Sequence, residues 1–211
     1  MSETYGKIAA LVISGKGEEL NSIVKQTLEQ GKAAKEIVES GLMPGMDAVG
    51  QKMKTGEMFI PEVLLSARTM QGAMDILKPL LGEGDTIGAG TVIIGTVEGD
   101  LHDIGKNLVA MLLEGAGFKV IDLGTGIKPQ AFVDAVKAHH PDIVGMSTLL
   151  TTTMPKMEET IQALQEAGLR DQVKIMAGGA PVTQDFIDKI GGDGYGASAA
   201  AAVEKAKEML G

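Results

Sequence analysis

Apolar residues recur at helical spacing through roughly the first eighty positions of the chain. Leu20, Ile23, Val24 and Leu28 share one face, and Ile60, Val63, Leu64, Met70, Met74, Leu77 and Leu81 mark a longer one. Breaks fall at Ser14-Gly15-Lys16-Gly17, at Gly31, near Pro44-Gly45 and at Thr55-Gly56. The spacing predicts a bundle of four or five helices. The longest runs from about Pro61, where proline suits a first helical turn, to Leu81. LGEGDTIGAG, residues 81 to 90, has no periodicity and predicts a glycine-rich hinge.

Beyond the hinge the rhythm changes. TVIIGTV, KVIDLG, DIVGMS, VKIMAGG and the weaker DGYG predict short buried strands. Helical runs separate them at about 105–116, 129–139, 155–168 and 181–190, with a last one near 198–210. Strands alternating with helices imply right-handed crossovers and a parallel sheet covered on both faces. The expected organisation is a helical-bundle cap domain at 1–84, a hinge at 85–90 and a five-stranded, doubly wound parallel α/β domain at 91–211.

In such sheets ligands bind beyond the carboxyl ends of the strands, where strand order reverses. In the common 2-1-3-4-5 order that point lies between the first and third strands. The loop after the first strand is EGDLHDIGKN, residues 98 to 107. The loop after the third is STLLTTTMP, residues 147 to 155, and AGGAP, residues 177 to 181, follows the fourth. A histidine, the densest hydroxyl cluster of the chain and a glycine pair are thus expected on one rim.

Composition narrows the chemistry. The net charge is −9, with no basic run to act as a footprint on phosphates, which argues against nucleic-acid binding. No apolar stretch approaches the length of a membrane span. The start of the chain lacks the pattern of a cleavable leader, so a cytoplasmic location is expected. There is no cysteine, which excludes thiolate zinc sites, iron–sulfur clusters and cysteine nucleophiles.

His102 is one of three histidines in the chain. His139 and His140 end a later helix on the opposite rim, where histidine suits the helix dipole. Zinc takes three or four protein ligands, so a metal needing only His102 must arrive enclosed in a macrocycle. Heme and cobalamin both meet that condition. Asp100, two residues before His102, is placed to accept the ring's other N–H and set its tautomer. Gly105 would let the following helix approach a bulky ring. A DxHxxG sequence alone is short, and a loop or capping role is its ordinary alternative.

With these residues together, the chain resembles the corrinoid-binding subunits of three-component methyltransferase systems and, more distantly, the cobalamin module of methionine synthase. The resemblance rests on Asp100, His102 and Gly105 as DxHxxG, on Ser147-Thr148-Leu149 as the S-x-L after the third strand, and on Gly178-Gly179 as the GG turn. GEMFIPEVLLSARTM, residues 56 to 70, is similar to the family's cap over the cofactor's upper face. The resemblance covers essentially the whole chain.

It implies a cobalamin or related corrinoid, in methylcobalamin and cob(I)alamin forms, with His102 as the lower cobalt ligand and Asp100 as its partner. The position of a relay serine in methionine synthase is held here by Thr153, which keeps the hydroxyl but adds β-branching. Asp103, Ile104, Gly105, Ser147, Leu149, Gly178 and Gly179 are implied cofactor contacts. Gly124 and Thr125 after the second strand, and Asp193, Gly194 and Tyr195 near the last, are expected to line the nucleotide-tail pocket. Met58, with Phe59, is expected at the upper face. The remaining bundle methionines read as core filler.

The implied activity is that of a methyl carrier. It accepts a methyl group on cobalt(I) from a substrate-specific methyltransferase and passes it to a second methyltransferase whose acceptor is coenzyme M or tetrahydrofolate. A reductive activase is the third implied partner. The donors that feed such carriers are methylamines, betaine and methoxylated compounds.

Four other readings compete with this one. An adenosylcobalamin mutase subunit shares the domain but needs an open upper face, which the helical cap disfavours. A cobalamin-dependent regulator needs a DNA-binding element, and about fifteen residues before the bundle are too few. A phosphoryl receiver wants an aspartate where Ser147 stands and a lysine after the fifth strand. A dinucleotide module wants G-x-G-x-x-G after the first strand, which GDLHDIG lacks.

Overall fold

A computed structural model describes residues 3–81 and 89–211 of the chain, in two compact units, one helical and one α/β. Most of the expected hinge therefore lies outside the described residues.

The helical unit comprises α1 (Glu3–Ile13), α2 (Gly17–Glu29), α3 (Ala34–Ile37), α4 (Met43–Lys54) and α5 (Ile60–Leu77). The predicted break near Pro44-Gly45 is not one. A π turn, Val38–Leu42, carries α3 directly into α4, and Pro44 falls in the first turn after it. The wider turn accommodates a residue that has no N–H to give. At the start of α5 the Phe59 N–H donates to Glu62 Oε2 at 2.8 Å, satisfying one orphan donor. This helix ends at Leu77 rather than Leu81. Pro79 disfavours helical geometry before it, and Lys78–Leu80 tighten into a 3₁₀ turn. Ile8, Leu20, Val24, Ile37, Leu42, Val63, Met70 and Leu77 are fully or almost fully buried.

Tyr5 is buried at 5% exposure, and its hydroxyl makes no hydrogen bond of normal geometry. Burial, reinforced by the Glu36 carboxylate, pushes its phenol up to about 12. Folding raises this pKa, so its contribution to stability is intact below the ordinary phenol value of about 10 and is lost as pH rises toward 12. Because no hydrogen bond is lost, Tyr5→Phe is expected to cost less than about 1 kcal/mol at neutral pH. It should also flatten the alkaline fall in stability, which urea titrations between neutral pH and pH 11 would show. A large neutral-pH loss would refute the assignment.

The α/β unit alternates β1 (Gly90–Val97), α6 (Ile104–Gly115), β2 (Phe118–Ile127), α7 (Pro129–His139), β3 (Ile143–Ser147), α8 (Pro155–Glu166), β4 (Lys174–Gly178), α9 (Gln184–Ile190), β5 (Gly194–Gly196) and α10 (Ala199–Leu210). All strand pairs are parallel, in the order β2-β1-β3-β4-β5. The expected doubly wound sheet and its reversal between β1 and β3 are both present.

The two faces differ in side-chain size. On one, Ile93, Val144 and Ile175 pack with Phe132, Met157, Ile161 and Leu164 into a filled aliphatic core. Successive strand residues point to opposite faces. The other face therefore receives Ile94, Gly145 and Met176, together with Gly178 and Gly196, and α6 and α10 cover it. Small residues there leave space between sheet and helices. That space is the cavity described next.

Candidate functional site

The loop after β1 is pinned before any ligand arrives. The Asp100 N–H donates to Val97 O at 3.1 Å, the Gly126 N–H donates to Asp100 O at 3.0 Å, and Thr96 Oγ1 donates to His102 O at 2.7 Å. These bonds turn the Asp100 side chain inward, where it is fully buried, and leave the His102 side chain 55% exposed.

A buried carboxylate needs donors, and Asp100 has four. Its Oδ1 lies 2.9 Å from the His102 backbone N and 2.8 Å from His102 Nδ1. Its Oδ2 accepts from the Leu149 N–H at 2.6 Å and from Thr148 Oγ1 at 3.1 Å. Burial alone would push the carboxyl up. The backbone N–H groups of Leu149 and His102, then the His102 ring and the Thr148 hydroxyl, outweigh it and hold Asp100 well below the usual carboxylate range. An ionised Asp100 can only accept, so Nδ1 carries the ring proton and donates it in a hydrogen bond, which leaves Nε2 as the lone-pair nitrogen. Nε2 has no hydrogen-bond partner among the described residues.

The loop after β3 comes to the same place. Thr148 N–H donates to Gly178 O at 3.2 Å, joining it to the turn after β4. Thr153 makes no hydrogen bond to Asp100. Its Oγ1 lies 2.5 Å from Thr148 Oγ1 and donates to Leu150 O at 3.0 Å. The hydroxyl next to the carboxylate belongs to Thr148, the unassigned middle residue of S-x-L.

Beside this rim a cavity of about 300 Å³ opens between the sheet, α6 and α10. Of the residues expected at the cofactor, Gly105, Ser147, Gly178, Gly179 and Tyr195 line it. A Cβ on Gly105 would meet nothing within 4 Å, so this position keeps the cavity open. Ile104 and Leu149 sit on the rim at 86% and 42% exposure, beside the equally unshielded Leu101 and Leu150. Four large apolar side chains around one histidine, on a rim where polar residues are the rule, make a surface for a flat, largely apolar ligand. The exposed Asp103 accepts from the Asn107 side chain at 3.1 Å within the first turn of α6.

Three expectations of position are corrected. Gly124 and Thr125 do not follow the second strand. Register shifts at Ile94/Gly95 and Gly95/Val97 let β2 continue to Ile127, so both lie within it, and neither lines the cavity. Gly194 begins β5 and faces Lys205 and Met209 of α10, while Tyr195 and Gly196 reach the cavity instead. Asp193 stands at the opposite end of that strand. There it accepts from the Ile175 N–H at 2.7 Å and pairs with Arg170 at 2.9 Å. In the helical unit Met58 is buried at 9% exposure, whereas Phe59 is exposed at 67%.

One further group escaped the sequence. Lys106 is almost wholly buried, lines the cavity, and pairs with Asp122 of β2 and with Asn107 Oδ1. A lysine near the start of an amphipathic helix reads as solvated surface, and nothing local announces a partner sixteen residues away.

A single exposed imidazole, an apolar rim and an adjacent cavity fit a macrocyclic metal cofactor with an appended tail. Among the described residues no group of three or more His, Asp or Glu side chains is placed to hold a bare ion. A B12 binding domain matches residues 90–204, and a second B12 binding domain matches residues 5–78. The chain is 45% identical over 190 residues to trimethylamine corrinoid protein 1 of Methanosarcina acetivorans, covering 89% of this chain and 88% of that one.

The chain belongs to the B12-binding corrinoid proteins of methyltransferase systems.

This corrinoid protein is also 43% identical to the trimethylamine corrinoid protein of Methanosarcina barkeri, over 99% of its own length and 97% of the relative's. Among solved structures it is similar to the methanol:cobalamin methyltransferase complex of the same organism. The TM-score is 0.88 at 32% identity, with 99% of this chain and 80% of that one covered. A cobalamin-binding protein from Desulfitobacterium hafniense gives a TM-score of 0.82 at 34% identity, with 98% of both chains covered. The corrinoid protein is thus a methyl carrier whose cofactor is a corrinoid and whose partners are methyltransferases. Among the described residues no helix is long and apolar enough to cross a membrane.

Proposed function

We propose that this corrinoid protein carries methyl groups from a methylamine, with His102 as the lower ligand of cobalt. The similarity to trimethylamine and dimethylamine corrinoid proteins, at 40–46% identity, supports the donor class. Betaine and methoxylated compounds are the other donors compatible with the fold. The acceptor is coenzyme M or tetrahydrofolate, reached through a second methyltransferase, and a reductive activase restores the carrier after oxidation. The cytoplasm is the setting these partners imply. The observation that carries the reading is the His102 ring, held by buried Asp100 through Nδ1 and open at Nε2.

The corrinoid, when bound, supplies a cobalt centre that takes up and releases a methyl group. The chain supplies the rest. Nε2 of His102 would be the ligand, with Asp100 fixing the ring's tautomer and orientation. Leu101, Ile104, Leu149 and Leu150 offer the apolar bed for the ring system. The cavity between the sheet, α6 and α10, with Ser147, Gly178, Gly179 and Tyr195 on its wall, would receive the nucleotide tail. Phe59 of the helical unit, rather than Met58, is the exposed candidate for the upper face.

The test is the visible spectrum of protein reconstituted with hydroxocobalamin, beside His102→Ala. Corrin bands should survive desalting in both, because the cavity still holds the tail. The variant should lose the histidine-ligated signature and bind at least about tenfold more weakly. A colourless wild-type protein after desalting, or identical spectra, would refute the assignment of His102. The donor is read by methylating the cob(I)alamin form with methyltransferases specific for trimethylamine, dimethylamine, monomethylamine, methanol or betaine. Transfer from none of the three methylamine systems would refute the donor class.

A further inference from the structure

A helix lying over a gap tends to settle into it, because a void forfeits contacts along its whole lining. The apolar residues that α6 turns to the cavity, Leu108 and Val109, are only half-buried, so the helix does not rest on the sheet there. Three residues before Val109 the helix carries Lys106, which also lines the cavity and is 3% exposed. An ammonium held out of water needs partners. Lys106 Nζ donates to Asp122 of the edge strand β2 and to Asn107 Oδ1 at 2.6 Å. Both partners are themselves fixed. Asp122 Oδ1 accepts from the Gly124 N–H at 2.8 Å, where the pairing of β1 with β2 changes register. Asn107 Nδ2 donates to Asp103 Oδ2 at 3.1 Å. One continuous run of side chains, Asp103, Asn107, Lys106 and Asp122, thus ties the first turn of α6 to the sheet.

We propose that Lys106 and Asp122 form a strut that sets the spacing between α6 and the sheet, so that the nucleotide tail of the corrinoid meets a cavity already open. This rests on the reading that the cavity takes that tail. A buried ion pair adds little stability over a well-packed apolar residue of similar length. What it adds is a fixed separation, because a charged head bonded to both strand and helix cannot slide as a flexible methionine can. Methionine at position 106 would let the start of the helix drop toward Gly145, Gly178 and Gly196, where the sheet carries no side chains to stop it. Asp122, with its side chain 42% exposed, would be solvated by water instead. Lys106 is therefore a positioning residue, acting on the tail only through the place of the helix.

The experiment is equilibrium dialysis of the full chain, freed of cofactor, against hydroxocobalamin and against hydroxocobinamide, which has the same ring and no nucleotide tail. Wild type, Lys106→Met, Lys106→Arg, the double variant Lys106→Met with Asp122→Ala, and Val109→Trp are compared. Lys106→Met should weaken hydroxocobalamin about tenfold, the loss expected of a cavity open about a tenth of the time, and leave hydroxocobinamide within about twofold. Its urea midpoint should equal or exceed that of wild type, because an apolar residue replaces a buried charge. Asp122→Ala added to it should weaken binding no further, since the strut is already gone. Lys106→Arg keeps charge and reach and should stay closer to wild type than to Lys106→Met. Val109→Trp fills the cavity and should lose hydroxocobalamin selectively.

An unchanged hydroxocobalamin affinity in Lys106→Met, an equal loss of both corrinoids, or a Lys106→Arg as weak as Lys106→Met would each overturn the proposal. So would a Lys106→Met chain too unstable to fold, which is what an ion pair serving only the stability of the fold predicts. Selective loss in Val109→Trp beside a flat Lys106 series refutes this inference alone. Hydroxocobalamin affinity intact in Val109→Trp means that the cavity does not take the tail, and the reading and the inference then fall together.

Discussion

Gly179→Ala is expected to destabilise the α/β unit by about 3 kcal/mol or more. Gly179 has a φ of +131°, a region closed to residues with a Cβ, and a Cβ there would sit 1.7 Å from the Thr148 carbonyl oxygen. The Cβ position is fixed by the backbone and the atom it meets is a backbone oxygen, so no rotamer change relieves the collision. The loop after β3 or the turn after β4 has to move. Thr148 and Gly178 are hydrogen-bonded across that turn, and the Leu149 N–H that Asp100 accepts is one residue further on. The disturbance therefore reaches the carboxylate that holds His102. Urea unfolding followed by circular dichroism should show the loss, and corrinoid retention after desalting should fall with it. A variant within 1 kcal/mol of wild type would mean that this turn is far more pliable than its packing implies.

Asp100→Ala is the second large effect. It leaves the partly buried N–H groups of Leu149 and His102 without their acceptor. Two hydrogen bonds to a charged group are worth about 3–5 kcal/mol together. Thr148 can turn to Thr153 and adds little to the loss. The same site predicts the acid limb of the stability curve. Folding lowers the Asp100 pKa, so its contribution is fully present above the ordinary carboxylate value, about 4, and is lost as pH falls through the folded value. Urea midpoints taken from about pH 5 down to about pH 2 should fall for wild type, most steeply below about pH 4, and less for Asp100→Asn. Parallel curves for the two proteins would contradict the assignment of Asp100 as the acid-sensitive group.

These effects converge on one rim, and that rim was readable from the chain. The DxHxxG loop, the hydroxyl cluster and the glycine pair each follow a predicted strand, and strand order places all three at the carboxyl ends of β1, β3 and β4. Element limits were less legible where chemistry at a distance decides them. Pro44 reads as a break, yet a π turn absorbs it. Gly124 reads as a loop, yet bulges in the pairing with β1 keep it in β2. Lys106 carries no local sign of burial, yet Asp122 holds it inside.

What the sequence by itself determined is local: the period of its apolar residues, hence helices before strands, and the residue types carried by each strand-end loop. Those follow from short-range sterics and from which face of an element must leave water. The tertiary structure alone decided which groups meet. Gly145, Gly178 and Gly196 are scattered over the second half of the chain, and only parallel register collects them on one face as the wall of a cavity. It likewise put Thr148, rather than Thr153, against Asp100, although the two threonines are five residues apart in one loop. Periodicity fixes the direction of a side chain within its own element. The distance between atoms of different elements depends on how the strands order and align, and no stretch of the chain carries that by itself.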